Sequence, residues 1–293
     1  VLGIPHPPGN PLFTLMAHVW GLLPLGADYA RRINIFAAFC SAASGALWFL
    51  VAERWLHALL ASRRQRIVAA FAGIFASATA WTVWNQSVVN EKVYTVSLLS
   101  IALVAWFAVR WADEAATPRR DRWLLAAVYV LALTSTNHTM GLLGAPVLAV
   151  YVLLTDWRVI LRPRLLALGV LVAAIGVTPN YAYLPLRAAQ FPAVNEGEPI
   201  GFFSKALSET LNRTQYLKPG LLPRQPWAEG DPIDNFGHFS AQLGMYWHYW
   251  SWQWGKDLGA PLGAAATGLF TAVGIGGLLA LLRRDRRAGL AAA

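Results

Sequence analysis

Residues 33–52 read INIFAAFCSAASGALWFLVA, a run without a charged side chain, and Arg54 follows at once, then Arg63, Arg64 and Arg66. An uncharged run of this length matches the ~20 helical residues needed to cross ~30 Å of hydrocarbon. Working outward, six further apolar stretches lie at about 67–84, 93–109, 123–136, 139–155, 165–186 and 259–282. Arginine collects on every second connection between them. Residues 110–122 carry Arg110, Arg119, Arg120 and Arg122, residues 156–164 carry Arg158, Arg162 and Arg164, and the tail carries Arg283, Arg284, Arg286 and Arg287. With the first connection these make 15 of the 24 basic residues, whereas 84–92 and 136–139 hold only Lys92. Basic loops mark the cytoplasmic side. The pattern therefore predicts an all-α polytopic membrane protein of about seven spans, with its polar short loops facing out.

Composition agrees, with 56% apolar and only 13% charged residues in 293, against about a quarter charged in soluble chains. The net charge of +9 sits at span ends, which points to membrane lipid and topology rather than nucleic acid. One cysteine, Cys40, lies inside the first span, so the sequence offers neither a disulfide framework nor a cysteine metal site. It reads as a small packing residue.

Three regions are expected. Residues 1–186 form a transmembrane core with an outer N-terminal loop, 187–258 an outer region, and 259–293 the last span with a basic cytoplasmic tail. Residues 11–25 are apolar but short and end near Pro24, which predicts an interfacial or re-entrant helix. Arg31 and Arg32 break the charge rule, either snorkelling to headgroups or facing an anionic ligand. The sixth span is expected to leave the bilayer at a break around Pro179 and Pro185. An amphipathic helix is expected near 202–217. The run 245–254, MYWHYWSWQW, reads as an interfacial aromatic belt or as a surface for stacking sugar rings. Val1 is preceded by no signal peptide, yet residues 1–32 should lie outside, so a further span is expected upstream.

Ionisable groups near the outer membrane surface are functional candidates by default. Asn90, Glu91 and Lys92 occupy one tight outer connection, where Glu91 either pairs with Lys92 in water or faces a polar cavity and handles a proton. Asn137 and His138 stand at the tip of the hairpin between the fourth and fifth spans. His138 either caps a helix or acts in proton transfer or phosphate binding. Arg187, just past the sixth span, offers a guanidinium fork that matches phosphate oxygens. Asn195 and Glu196 follow in an acidic turn, and His6 sits in a proline-glycine loop. No dinucleotide, phosphate-loop, zinc-protease or nucleophile-elbow motif occurs.

Several segments in order resemble one family: Gly3-Ile4-Pro5-His6-Pro7-Pro8-Gly9-Asn10, Arg32-Ile33-Asn34, Trp84-Asn85-Gln86-Ser87, Asn90-Glu91-Lys92-Val93-Tyr94, Asn137-His138, Tyr183-Leu184-Pro185-Leu186-Arg187 and Val194-Asn195-Glu196-Gly197. The family is a group of bacterial membrane proteins similar to the endoplasmic-reticulum protein O-mannosyltransferases of plexin-type domains, and it looks like a branch of the GT-C glycosyltransferases. The resemblance implies transfer of a sugar, such as mannose, from a polyprenyl-phosphate donor to a protein Ser/Thr or glycan acceptor on the outer face. A lipid-linked phosphosugar needs cations for its phosphate and a carboxylate for the acceptor hydroxyl, and on that chemistry Glu91 and His138 are the catalytic candidates, with His6, Asn90, Asn137, Arg187, Asn195 and Glu196 as substrate or phosphate contacts. The resemblance also places a principal acid in a motif upstream of Gly3, so these residues alone are expected to be inactive. No cofactor beyond the lipid-phosphate sugar is implied, and a divalent metal is not indicated.

The competing reading is a transporter or flippase for a lipid-linked or anionic solute, which would show similar broken helices and outer polar groups. The near absence of charge in mid-span counts against it. An alanine- and arginine-rich composition points to a bacterial cytoplasmic membrane as the location.

Overall fold

The computed structural model describes residues 2–5, 9–26, 28–88, 93–196, 200–212, 214 and 235–293. The helices in chain order are α1 (Pro11–Gly21), α2 (Tyr29–Leu56), α3 (Arg63–Ala78), α4 (Trp81–Ser87), α5 (Tyr94–Asp113), α6 (Asp121–Ser135), α7 (Gly144–Asp156) and α8 (Pro163–Ala188). They continue with α9 (Lys205–Asn212), α10 (Asn235–Gly255), α11 (Ala260–Arg284) and α12 (Arg286–Ala292). The chain is an all-α polytopic membrane protein.

All seven apolar stretches are helical. By length and composition five helical segments suffice to cross, namely α2, α5, Thr139–Leu161 around α7, α8 and α11, and α3 with α4 makes a sixth as a pair bent by 69°. At that bend Thr79 donates its hydroxyl to the Phe75 carbonyl at 2.8 Å, a local bond that competes with helix continuation. Helix α6 has 15 residues, about 22 Å at 1.5 Å per residue, and runs from the Asp121 end of the bundle to the tip at Asn137. It stops because Ser135 and Thr136 turn their hydroxyls onto the carbonyls of Ala132 and Leu133, both at 2.7 Å.

One expectation is corrected. Helix α8 does not break at its prolines but runs through Pro179 and Pro185 to Ala188. Each proline removes one backbone donor, and neighbouring side chains can re-satisfy a helix inside a membrane. Asn180 adds a side-chain bond of its own beside the backbone ladder, its nitrogen donating to the Gly176 carbonyl at 2.9 Å. The aromatic run 246–254 is the last half of α10. There Trp250 donates to Thr271 at 2.8 Å and Trp254 stacks on Phe270 at 4.4 Å, while Tyr246, Trp247 and Tyr249 are exposed. The helix expected near 202–217 is α9, and it is short.

One end of the bundle is stitched by ion pairs among the arginine-rich connections. Arg54 clasps Asp113, Arg66 meets Glu53, Arg120 meets Asp156, and Arg162 clasps Asp121 with bonds of 2.7 and 2.9 Å. The carboxylates explain how so many cations share one end. Beneath it, Val104, Ala108 and Trp111 of α5 pack with Leu124 and Ala127 of α6 and Leu148 of α7. At the distal end, α1 packs Ala17 against Ile33, Phe36 and Cys40 of α2, and Cys40 is fully buried, as a packing residue should be. Close helix contacts use small residues, as expected where lipid competes equally for apolar side chains. A Cβ on Gly176 would stand 2.9 Å from the Ala132 methyl, and one on Gly141 only 1.9 Å from Thr134 Oγ1.

Arg31 and Arg32 both take protein partners. Arg31 pairs with Asp28 at 3.4 Å. Arg32 donates to the carbonyls of Gly21 and Leu23, at 2.6 and 3.2 Å, and so closes the C-terminal end of α1, where a cation is electrostatically favoured.

Candidate active site

The distal end is assembled from the last turns of α8, the tip after α6 and the first turn of α5. In α8, residues at i and i+4 share a face, so Tyr183 and Arg187 project together. Tyr183 donates its hydroxyl to the Gly3 carbonyl at 2.8 Å, and Arg187 Nε donates to the Leu2 carbonyl at 2.7 Å. The N-terminal segment is thereby held across the end of α8. It then pairs with the chain beyond α8: Ile4 donates to the Val194 carbonyl at 2.8 Å and accepts from the Glu196 amide at 2.9 Å. Ile4 is buried against Leu184, Ala188 and Ile200. Gly9, at φ 81°, brings its Cα side against Leu184, where a Cβ would stand 2.7 Å from a methyl carbon.

Arg187 is half-buried. Its remaining bond runs from Nη1 to Gln190, and among the described residues no carboxylate forms an ion pair with it. Nearly every other partly buried arginine described above has a carboxylate. An uncompensated guanidinium at a span end suits an incoming anion.

Asn137 is fully buried, and its amide nitrogen donates to the Val93 carbonyl at 2.8 Å and to Ser97 Oγ at 2.9 Å. It fastens the hairpin tip to the start of α5, while its buried carbonyl oxygen has no partner among the described residues. His138 packs edge-on against Tyr94 at 5.1 Å, and its Nδ1 accepts from the Met140 amide at 3.1 Å. That bond makes it the cap of the 3-10 turn Thr139–Leu143. It also fixes Nε2 as the nitrogen that carries a proton in the neutral ring. Tyr181 donates to the Ser135 carbonyl at 3.2 Å, which ties this tip to α8. Arg187 lies six residues beyond Tyr181, about 9 Å farther along the helix axis.

The structure thus brings Arg187, Asn195 and Glu196 together around the N-terminal segment, and joins Asn137 and His138 to the same end through Tyr181. Asn195 and Glu196 contribute backbone pairing, and their side chains are exposed. His6, Asn90 and Glu91 lie outside the described residues. Tyr183 is the residue that sequence reasoning missed. Its spacing of four from Arg187 was the available signal.

Residues 1–161 match the family described as the protein O-mannosyl-transferase TMEM260 N-terminal domain. The match covers more than half of the chain, and the chain belongs to that family. It is similar to the mouse protein O-mannosyl-transferase TMEM260, at 29% identity over 197 residues. That alignment covers 64% of this chain and 25% of the mouse protein, so the chain spans about a quarter of that relative. No solved structure matches.

Proposed function

We propose that this family member takes part in membrane glycosyl transfer at its distal end, moving mannose from a polyprenyl-phosphate donor to a protein hydroxyl. The observation that carries the reading is the half-buried Arg187, which anchors the N-terminal segment through Nε and has no carboxylate partner among the described residues. Its fork would meet the donor phosphate, where bidentate contact gives both charge and orientation. The acceptor hydroxyl attacks the anomeric carbon as the bond to phosphate oxygen breaks. Positive charge develops on the sugar and negative charge on the departing phosphate. Arg187 stabilises the latter. Glu91, in the connection between α4 and α5, would take the hydroxyl proton or orient the acceptor. His138, held by Tyr94 and the Met140 amide, would donate from Nε2 to a sugar or phosphate oxygen.

The similarity of the mouse protein, named for O-mannosyl transfer, supports this class of chemistry. In this reading the arginine-rich end faces the cytosol of a bacterial inner membrane and transfer occurs outside. The test uses the full-length polypeptide that carries these residues, reconstituted in vesicles with a radiolabelled polyprenyl-phosphate mannose and a serine/threonine acceptor. Labelled acceptor on the distal side is expected. Movement of the donor across the bilayer without transfer would replace this reading with a transporter.

A further inference from the structure

The α10–α11 hairpin is closed at its turn and open beside it. Gly255 and Gly263 touch backbone to backbone, so that a Cβ on Gly263 would stand 2.7 Å from the Gly255 carbonyl oxygen. Beside this contact the helices flank an open groove of about 430 Å³ that also reaches the turn residues Gly259 and Ala260. Trp247, Trp252 and Lys256 line it from the α10 side, and Gly263, Thr267 and Gly268 from α11. A Cβ on Gly268 would meet nothing within 4 Å, so the floor is open. Helix α11 is also the least covered span, with 11% of its apolar window buried.

The mouth of the groove is cationic. Lys256 Nζ stands 3.5 Å from the centre of the Trp81 ring at the start of α4, and 4.8 Å from that of Trp252. The two rings meet edge to face at 5.5 Å. Gln253 fixes this corner by donating to Thr82 Oγ1 at 2.8 Å. Among the described residues no carboxylate forms an ion pair with Lys256. Aromatic faces hold an ammonium in place without neutralising it. Trp252 is engaged by Trp81, His248, Tyr249 and Lys256, and Trp254 by Trp250 and Phe270.

A single uncompensated cation above an apolar trough that follows a lipid-facing helix matches an amphiphile with an anionic head. We propose that this groove holds an anionic phospholipid of the distal leaflet, its phosphate at Lys256 and one acyl chain along Gly263, Thr267 and Gly268. The site is separate from the transfer chemistry above and stands or falls without it.

The test reconstitutes the chain in phosphatidylcholine vesicles containing a small share of photoactivatable phosphatidylglycerol, and maps adducts by mass spectrometry. Adducts are expected within residues 246–268. Lys256→Ala should lower them about fivefold, the scale of one lysine near an anionic membrane surface, and Lys256→Arg should keep most of them. Gly268→Leu, which fills the floor, should remove the acyl-chain adducts. Because Lys256 is exposed, its two variants decide the matter even if Gly268→Leu folds poorly. Equal labelling by an uncharged photoactivatable diacylglycerol, or undiminished labelling in Lys256→Ala, would overturn the proposal. So would competition by inorganic phosphate, which would indicate a soluble anion, or cross-linking of α11 to a second copy in place of lipid.

Discussion

Arg187 and Leu2 stand 185 positions apart in sequence, yet Nε of the one donates to the carbonyl of the other at 2.7 Å. One side chain thus both secures the N-terminal segment and presents its remaining fork at the distal end. Arg187→Ala should therefore loosen the Ile4–Val194 pairing. A charged hydrogen bond is worth about 1.5–3 kcal/mol when buried, and partial exposure brings the expected cost nearer 1 kcal/mol. Amide exchange at Ile4 and Glu196 is the measurement, and faster exchange in the variant is the expected result. Arg187→Lys should restore protection only in part, because a point charge cannot serve both the Leu2 carbonyl and Gln190 with one geometry.

Gly141→Ala should destabilise the hairpin tip. The new methyl would stand 1.9 Å from Thr134 Oγ1 and 2.7 Å from its Cγ2, and Thr134 is itself fully buried. Forced repacking of this kind costs about 1–3 kcal/mol. A lower thermal midpoint in detergent, accompanied by weaker protection of the Asn137 amide, is expected. An unchanged midpoint would show that the tip can shift freely.

At the opposite end, Asp121→Asn should weaken the joint between α6 and α8. Asp121 receives both bonds from Arg162 and one from Trp111 at 3.3 Å. Both charged partners are roughly a third exposed, so a loss of about 1 kcal/mol is expected rather than the larger cost of a fully buried pair. High salt should narrow the gap between wild type and variant. Chemical unfolding at two ionic strengths reads this, and a salt-independent difference would contradict it.

Much of this architecture was legible in the sequence, because two strong signals agree. Uncharged runs such as 33–52 have to be helical in lipid, and the arginine alternation orders them. What stayed hidden depends on contacts between distant residues. Nothing near Pro179 announces that α8 will run on through it to Ala188, so the helix looks broken there. That Trp250 and Trp254 of the aromatic run would pack on Thr271 and Phe270 was not legible either. Arg32 looks like an exposed anomaly until the carbonyls of Gly21 and Leu23 are seen to converge on it. At the candidate site, Arg187 and His138 were legible as residue types at span ends. Their anchoring by Leu2, Tyr94 and the Met140 amide was not.

The orientation follows from the ion-pair end and can be tested directly. Ser62 and Ser208 are both exposed, and on the arginine pattern they lie on opposite sides of the membrane. Cys40 is buried and should stay silent. A membrane-impermeant maleimide should label Ser208→Cys in intact cells and Ser62→Cys only after permeabilisation. Labelling of both from the same side would overturn the topology.

The central claim, sugar transfer at the distal end, is tested most directly by separating donor affinity from turnover in the full-length polypeptide that carries this chain. The measurement is transfer from radiolabelled polyprenyl-phosphate mannose in proteoliposomes, with donor binding determined separately, for wild type, Arg187→Ala and Glu91→Gln. Arg187→Ala should weaken donor binding about tenfold, the equivalent of one charge-assisted contact. Glu91→Gln should leave donor binding in place and lower turnover by about a hundredfold or more, as expected for a group that handles a proton. Wild-type transfer in both variants would contradict the account.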